Sequence, residues 1–411
     1  MPLTETEFQP HAVDTGARLG AALLAYMVGV TLIVALLPFN FAWPEQWQVS
    51  VGDDPYDAIV NLLLFVPLGF LFRLAMSRER QGSILLVIRD AALISIGIEA
   101  MQLFDTTRQA TLLDVIANTA GAGLGAFAFD RIARSARISG RLIGWLGLEI
   151  PLMGLVYLLV PLLWVNALGA RAELARTLTT FLIAAFGAML LGGLQRHYFG
   201  PSKAAEPRHT AAFAAIWFVA GAFTLFPWRP FELLAGALAA AALCWWQGRR
   251  RLRDPDSNRR FEAPLLRAAA PLYAAYLAVL VLSPLLDAAG SWQGRFGFPA
   301  VAPSQTEIAR LLELCAAFTL LGYMAAVIRG RELAHDRDAF PRLLGWGIAL
   351  ALVAEAARGF DVHGASLARG VLLVAACLYG GWLYYLQRSH VISLLSRRRA
   401  HSAGTEGEAK T

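Results

Sequence analysis

Lysine occurs only twice in 411 residues, cysteine three times and histidine seven times, and just 16% of the side chains are charged. Soluble domains carry roughly 25% charged residues, so a chain this poor in charge cannot clothe an ordinary globular surface. The shortage of cysteine excludes a disulfide-stapled scaffold. Cys244, Cys315 and Cys377 stand far apart in apolar stretches and read as small core residues, neither a bridge nor a metal site. Disorder is excluded from the opposite side, because it requires few apolar residues; here 57% are apolar, with 36 Gly besides and a mean hydropathy of +0.52.

What the chain has in abundance is long apolar runs. Twelve segments reach the length that crosses a hydrocarbon core, near 19–37, 57–76, 84–104, 110–129, 144–165, 177–195, 211–228, 232–247, 268–286, 307–328, 342–358 and 366–386. The fold class is therefore all-α: a polytopic transmembrane helix bundle of about 12 spans. With both termini cytoplasmic, 28 of the 36 Lys and Arg fall on the inner side and every even-numbered connection is basic, as the positive-inside rule requires. The +6 net charge is thus a topological signal, and no nucleic acid is expected as a partner. The first run is too long for a signal-peptide core and reads as an anchor that stays in a bacterial cytoplasmic (inner) membrane. The Arg-rich stretch from Gly248 to Arg260 reads as a linker and stop-transfer cluster, with an anionic-lipid contact as its functional alternative.

The spans group into four-helix units at 19–130, 144–247 and 268–386, with a cytoplasmic tail at 387–411 whose end, from Ser402 to Thr411, reads as disordered. The outer units echo one another. Glu99-Ala100-Met101-Gln102-Leu103-Phe104-Asp105 returns as Glu355-Ala356-Ala357-Arg358-Gly359-Phe360-Asp361, and Ala110-Thr111-Leu112 as Ala365-Ser366-Leu367. Pro38 and Pro284 close the first and ninth spans, and Phe226-Pro227-Trp228 is a weaker middle echo. Units with an even number of spans make the copies parallel, related by an axis along the membrane normal.

Polar residues within spans are expensive and mark functional sites. The first four spans concentrate them. Asn61 lies near the start of span two, Glu99 and Gln102 near the end of span three, and Asp114 and Asn118 near the start of span four, with Arg108 on the short connection between the last two. At about 1.5 Å per residue, Asn61, Glu99 and Asp114 come to a common depth of some 6 to 8 Å below the outer surface. Ser95, Glu99 and Gln102 share one helical face, as do Asp114 and Asn118.

Structural readings compete. Glu99 with Arg108 makes a plausible buried pair, with Arg108 placed to reach both carboxylates; Asn61 and Asn118 suit interhelical hydrogen bonds. Pro67 suits a kink, and Gly121 with Gly125 a close helix crossing. Two carboxylates, three amides and a guanidinium at one depth nevertheless exceed the needs of packing.

The pattern Asn61-x3-Phe65-x-Pro67-x-Gly69, then Glu99-x2-Gln102, then Arg108-x5-Asp114-x3-Asn118-x2-Gly121 resembles the VanZ-like family of bacterial membrane proteins over roughly residues 20–130. The resemblance implies an association with resistance to glycopeptide antibiotics such as teicoplanin and brings no reaction mechanism. Two features depart from the family: Thr107 stands where a Gly often precedes the Arg, and the chain continues far beyond four or five spans.

A carboxylate pair among amides suits sugars, peptides or other hydrogen-bonding headgroups better than phosphate, which wants more positive charge than one Arg against two acids. Only His363 among the histidines falls in an outer connection, which disfavours both a hydrolytic zinc centre and a Ser-His-Asp arrangement. No metal or cofactor is expected. Glu99 and Asp114 are the candidate acid-base residues, Asn61, Gln102, Arg108 and Asn118 the candidate binding residues. Membrane lipid, a cell-wall precursor and a lipid-linked molecule are the expected partners. A transporter and a structural membrane subunit are the competing functions. In the second copy Asn61 aligns with Arg310, Gln102 with Arg358 and Asp114 with Arg369, while Glu355 remains, neutralised by Arg358. That half reads as degenerate, or else as lending its arginines to the acids of the first.

Overall fold

The computed structural model describes residues 11–37, 39–44, 47–52, 54–76, 84–135, 152–170, 174–198, 207–226, 228–250, 262–285, 291–297, 305–329, 339–360 and 364–408. Pro38, Pro227, Asp361, His363 and most of the expected linker lie outside these residues. Among the described residues there are twelve α-helices: α1 (His11–Leu36), α2 (Pro55–Ala75), α3 (Ile84–Gln102), α4 (Leu112–Ser135), α5 (Met153–Ala170), α6 (Leu174–Tyr198), α7 (Pro207–Ala222), α8 (Pro230–Arg249), α9 (Glu262–Leu282), α10 (Gln305–Arg329), α11 (Ala339–Arg358) and α12 (Leu367–Glu408). Each coincides with one of the twelve apolar segments, and eight of them are long and apolar enough to cross a membrane. Large apolar side chains stand exposed along their outer faces, among them Leu112, Ile116, Leu124 and Phe127 on α4. In water such a stripe would be a liability; facing lipid it is what a spanning helix requires.

Two short parallel ladders are added to the helices. The strands β1 (Val49–Ser50) and β2 (Ala110–Thr111) pair, as do β3 (Gly294–Arg295) and β4 (Ala365–Ser366). Residues 110 and 111, expected inside the fourth span, are therefore strand, and the third span ends at Gln102 instead of 104. The polar end of the chain also departs from expectation. With no proline after Pro341, α12 propagates through Ser402 as far as Glu408.

The described residues divide into two compact units, Met1–Gly154 with Tyr385–Thr411, and Leu155–Tyr384. In the first, α2 and α4 cross so closely that backbone meets backbone: a Cβ at Gly69 would lie 1.9 Å from Ala122 O, one at Gly121 2.1 Å from Leu62 O, and one at Gly125 1.9 Å from Val66 O. Close approach over small residues is how helices gain dispersion energy where lipid offers no hydrophobic drive. Near the far ends of the same two helices Arg73 holds Asp130 through two hydrogen bonds, Nε to Oδ1 at 2.7 Å and a terminal NH2 to Oδ2 at 3.1 Å.

The expected units 144–247 and 268–386 fall together in the second compact unit. The reason is a buried polar knot. Glu313 of α10, fully buried, accepts from Asn166 Nδ2 of α5 at 2.7 Å, from the Arg176 guanidinium of α6 at 3.0 Å and from the Tyr276 hydroxyl of α9 at 3.2 Å. Asn166 in turn donates to Thr179 Oγ1 and accepts from Thr180. One acid thus ties three helices to α10, and α6 and α10 are the most buried of the eight helices long and apolar enough to cross a membrane.

Thr106 and Arg131 are exposed beyond the start and near the end of α4. In a variant lacking the three native cysteines, Thr106→Cys should react with an impermeant thiol reagent on intact cells and Arg131→Cys only after permeabilisation. The reverse pattern would refute the orientation, and labelling of both on intact cells would refute α4 as a span.

Candidate functional site

In the first unit the α1–α2 connection is laid alongside the start of α4. Val49 pairs with Ala110 and Ser50 with Thr111, and Leu113 N donates to Val51 O at 3.0 Å. The chain then turns at Gly52, whose φ of +86° and 2.8 Å approach of an added Cβ to Leu113 Cβ leave room only for glycine. Asp54 accepts from Tyr56 N at 2.8 Å to cap α2, with Pro55 as its first residue. From the other side the α3–β2 loop is strapped to residues 40–42 by Ala42 N to Phe104 O and Thr106 N to Asn40 O, and Asp105 Oδ1 fixes the turn by accepting from Thr107 N and Oγ1.

This frame positions the acids. Glu99 Oε2 accepts from Thr111 N at 2.8 Å, and Thr111 Oγ1 accepts from Asp114 N at 3.1 Å in an N-capping arrangement for α4. Glu99 and Asp114 are both buried, at 8% and 7% exposure. Asp114, Asp57 and Arg108 all lie within electrostatic reach of Glu99. Asp57 was not among the residues singled out from sequence, because an acid in the first turn of a helix reads as a response to the helix dipole. Its spacing of four from Asn61, which puts both on one face of α2, is the signal that marks it. Among the described residues, Glu99 Oε1, the Asp114 carboxylate and the half-buried Asn61 amide have no hydrogen-bond partner.

The remaining expected residues do other work. Arg108 is exposed and does not ion-pair with either carboxylate; its Nε donates to Leu37 O at 3.2 Å. Gln102 Nε2 donates to Ala35 O at 3.0 Å. Both carbonyls sit at the end of α1, where a helix leaves its last acceptors unsatisfied, and that demand draws the two side chains away from the acids. Asn118 Nδ2 donates to Ser95 Oγ at 2.9 Å and joins α4 to α3, while its buried Oδ1 is without a partner.

The second unit repeats the geometry with different chemistry. Ser366 N donates to Glu355 Oε2 at 2.7 Å, Arg369 N to Ser366 Oγ at 3.3 Å, and Ala368 N to Phe296 O at 3.0 Å, with Gly364 at a φ of +65° entering the ladder. Here an arginine closes the carboxylate. Arg369 Nε lies 2.6 Å from Oε1 and its terminal NH2 2.7 Å from Oε2 and 2.8 Å from Gly364 O. The guanidinium of Arg369 thus neutralises Glu355, a partner that the sequence alone did not name. The register also shifts. Cβ atoms at Gly322 and Gly380 would meet Cys377 O and Thr319 O as those at Gly69 and Gly125 meet Ala122 O and Val66 O, and this matching sets Leu314 opposite Asn61 and Arg310 opposite Asp57.

Residues 15–134, less than a third of the chain, match the family model VanZ/LLP1. That stretch contains α1 to α4, the first ladder and Asp57, Glu99 and Asp114, so the first unit carries a VanZ-like domain. No protein with a curated description and no solved structure matches the chain.

Proposed function

We propose that the VanZ-like domain is a membrane-embedded recognition site, open at its ladder end, that binds or modifies the hydrogen-bonding headgroup of a cell-envelope molecule. One contrast carries this reading. In the second unit the ladder-end glutamate has both oxygens engaged, which is how a structural buried acid is satisfied. In the first unit Glu99 keeps an oxygen, Asp114 its carboxylate and Asn61 its amide without a protein partner. Such groups at membrane depth are costly unless something binds them. Asp57, Glu99 and Asp114 supply acceptors for the hydroxyls or amides of a sugar or peptide, Asn61 adds a donor and an acceptor, and Arg108 stands at the rim. Where the bound molecule is turned over, Glu99 and Asp114 are the acid-base pair. Gln102 and Asn118 position the walls. The duplicate ladder and crossing of the second unit fit a parallel, diverged copy, and the family resemblance directs the readout to glycopeptides.

A deletion strain complemented with Glu99→Gln or with Asp114→Asn should fail to restore the wild-type teicoplanin susceptibility, although both isosteric amides should accumulate like wild type on an immunoblot. Arg108→Ala should fail in part, as a rim residue. Full complementation by both amide variants would reduce the acids to structural groups and end the proposal.

A further inference from the structure

The second unit carries an apolar groove that the site above does not use. It has a volume of about 690 Å³, within the roughly 300 to 1,000 Å³ of small-molecule sites. It follows α11 from Ile348 to Ala356 and α12 from Leu367 to Val374, eight to nine residues or about 10 to 12 Å of each helix. Trp292, Phe296, Ile348, Leu352, Leu367 and Val371 give it a wall of large apolar side chains, all of them solvent-exposed. Gly370 contributes the open floor, since a Cβ there would meet only Glu355 Cγ at 3.5 Å.

The polar groups along this wall are nearly all engaged. Glu355 is closed by Arg369 and Ser366 N, Ser366 Oγ donates to Gly297 O at 2.9 Å, and Trp292 Nε1 donates to Ala356 O at 3.3 Å. Arg295 is different. It stands exposed on β3 at the groove's ladder end, and among the described residues its guanidinium has no ion pair and no hydrogen bond. The corresponding ladder residue of the first unit is Ser50, and where that unit holds Asp57 and Asp114 this one holds Arg310 and Arg369.

We infer that this groove binds one anionic phospholipid, an acyl chain lying between α11 and α12 and the phosphate paired with Arg295. A fixed apolar trough two helical turns long with a cation at one end is complementary to a lipid of that charge. A transmembrane helix of a second copy would have to bring a matching anion to the same place.

The test uses the full-length protein purified in detergent, given equal amounts of phosphatidylglycerol and phosphatidylcholine, with the retained lipid counted by native mass spectrometry. Wild type should retain phosphatidylglycerol about fivefold over phosphatidylcholine, the preference one arginine near an anionic surface supplies. Arg295→Gln, an exposed change that leaves the fold alone, should abolish the preference while the chain still retains lipid of either kind. Gly370→Leu, which fills the trough and improves helix propensity, should lose both lipids. Equal retention of the two lipids by wild type, or an unchanged preference in Arg295→Gln, would overturn the inference. So would displacement of the lipid by millimolar glycerol phosphate, which would make the site one for a free phosphate, or a dimer of the wild type that Gly370→Leu dissolves, which would make the trough an interface between copies.

Discussion

Gly125→Ala, the addition of a single methyl group, should destabilise the first unit by roughly 3 kcal/mol, the upper end for overpacking a filled interior. The new carbon would sit 1.9 Å from Val66 O and 2.8 Å from Phe70 N. These are backbone atoms of α2, which have no rotamer to change, so α2 and α4 would have to separate along the crossing that Gly69 and Gly121 also need. A control lies two residues away. Gly123 faces Ile88, whose Cγ1 would be an ordinary 3.5 Å from an added Cβ, so Gly123→Ala should be neutral or gain up to about 1 kcal/mol from helix propensity. Thermal unfolding of the two purified variants in the same detergent should separate them by many degrees. Equal melting temperatures would show that the crossing is looser than the carbonyl contacts imply.

The same glycines show what the sequence makes legible. Gly121 and Gly125 stand four residues apart in an apolar run, and small residues at that spacing have few uses in a membrane other than close packing. The helices were legible for a similar reason, since the bilayer sets a common length and polarity for the eight that are long and apolar enough to cross it. Glu99 and Asp114 stood out because charge within a span is rare, and the frame does bring Asp114 within electrostatic reach of Glu99.

What stayed hidden depends on groups that leave no pattern in side-chain identity. Arg108 and Gln102 go to Leu37 O and Ala35 O, and backbone acceptors at a helix end are invisible in a list of residues. The ladders are two residues long, too short for any periodicity to announce them, yet Thr111 N on β2 is what holds Glu99. The pairing of Glu355 with Arg369 turns on the same device. Ser366 accepts from Arg369 N at the start of α12, and the Arg369 side chain reaches the carboxylate. Glu313 was passed over altogether. It lies eight residues inside α10, between apolar neighbours, and its partners Asn166, Arg176 and Tyr276 come from three other helices at distances that no local spacing links.

That hidden knot carries the larger expected effect. Glu313→Ala would leave the Arg176 guanidinium, the Asn166 amide and the Tyr276 hydroxyl without their shared acceptor, and removing one member of a buried pair costs roughly 3 to 5 kcal/mol. Glu313→Gln keeps an acceptor for Asn166 and Tyr276 and removes only the charge facing Arg176, so its loss should be smaller. Arg176→Met leaves the opposite fault, an acid uncompensated in the middle of the unit. Combining Arg176→Met with Glu313→Gln removes both charges at once. The double variant should therefore be more stable than the sum of the two single losses allows, by something within the 0.5 to 3 kcal/mol range of contacting pairs. Unfolding titrations of the four chains in mixed micelles give this coupling directly. Amide exchange adds its location, because four helices share the acid: α5, α6, α9 and α10 should all exchange faster in Glu313→Ala. Strict additivity, or faster exchange confined to α10, would mean that Glu313 is solvated locally and that the middle helices are held to α10 by apolar packing alone.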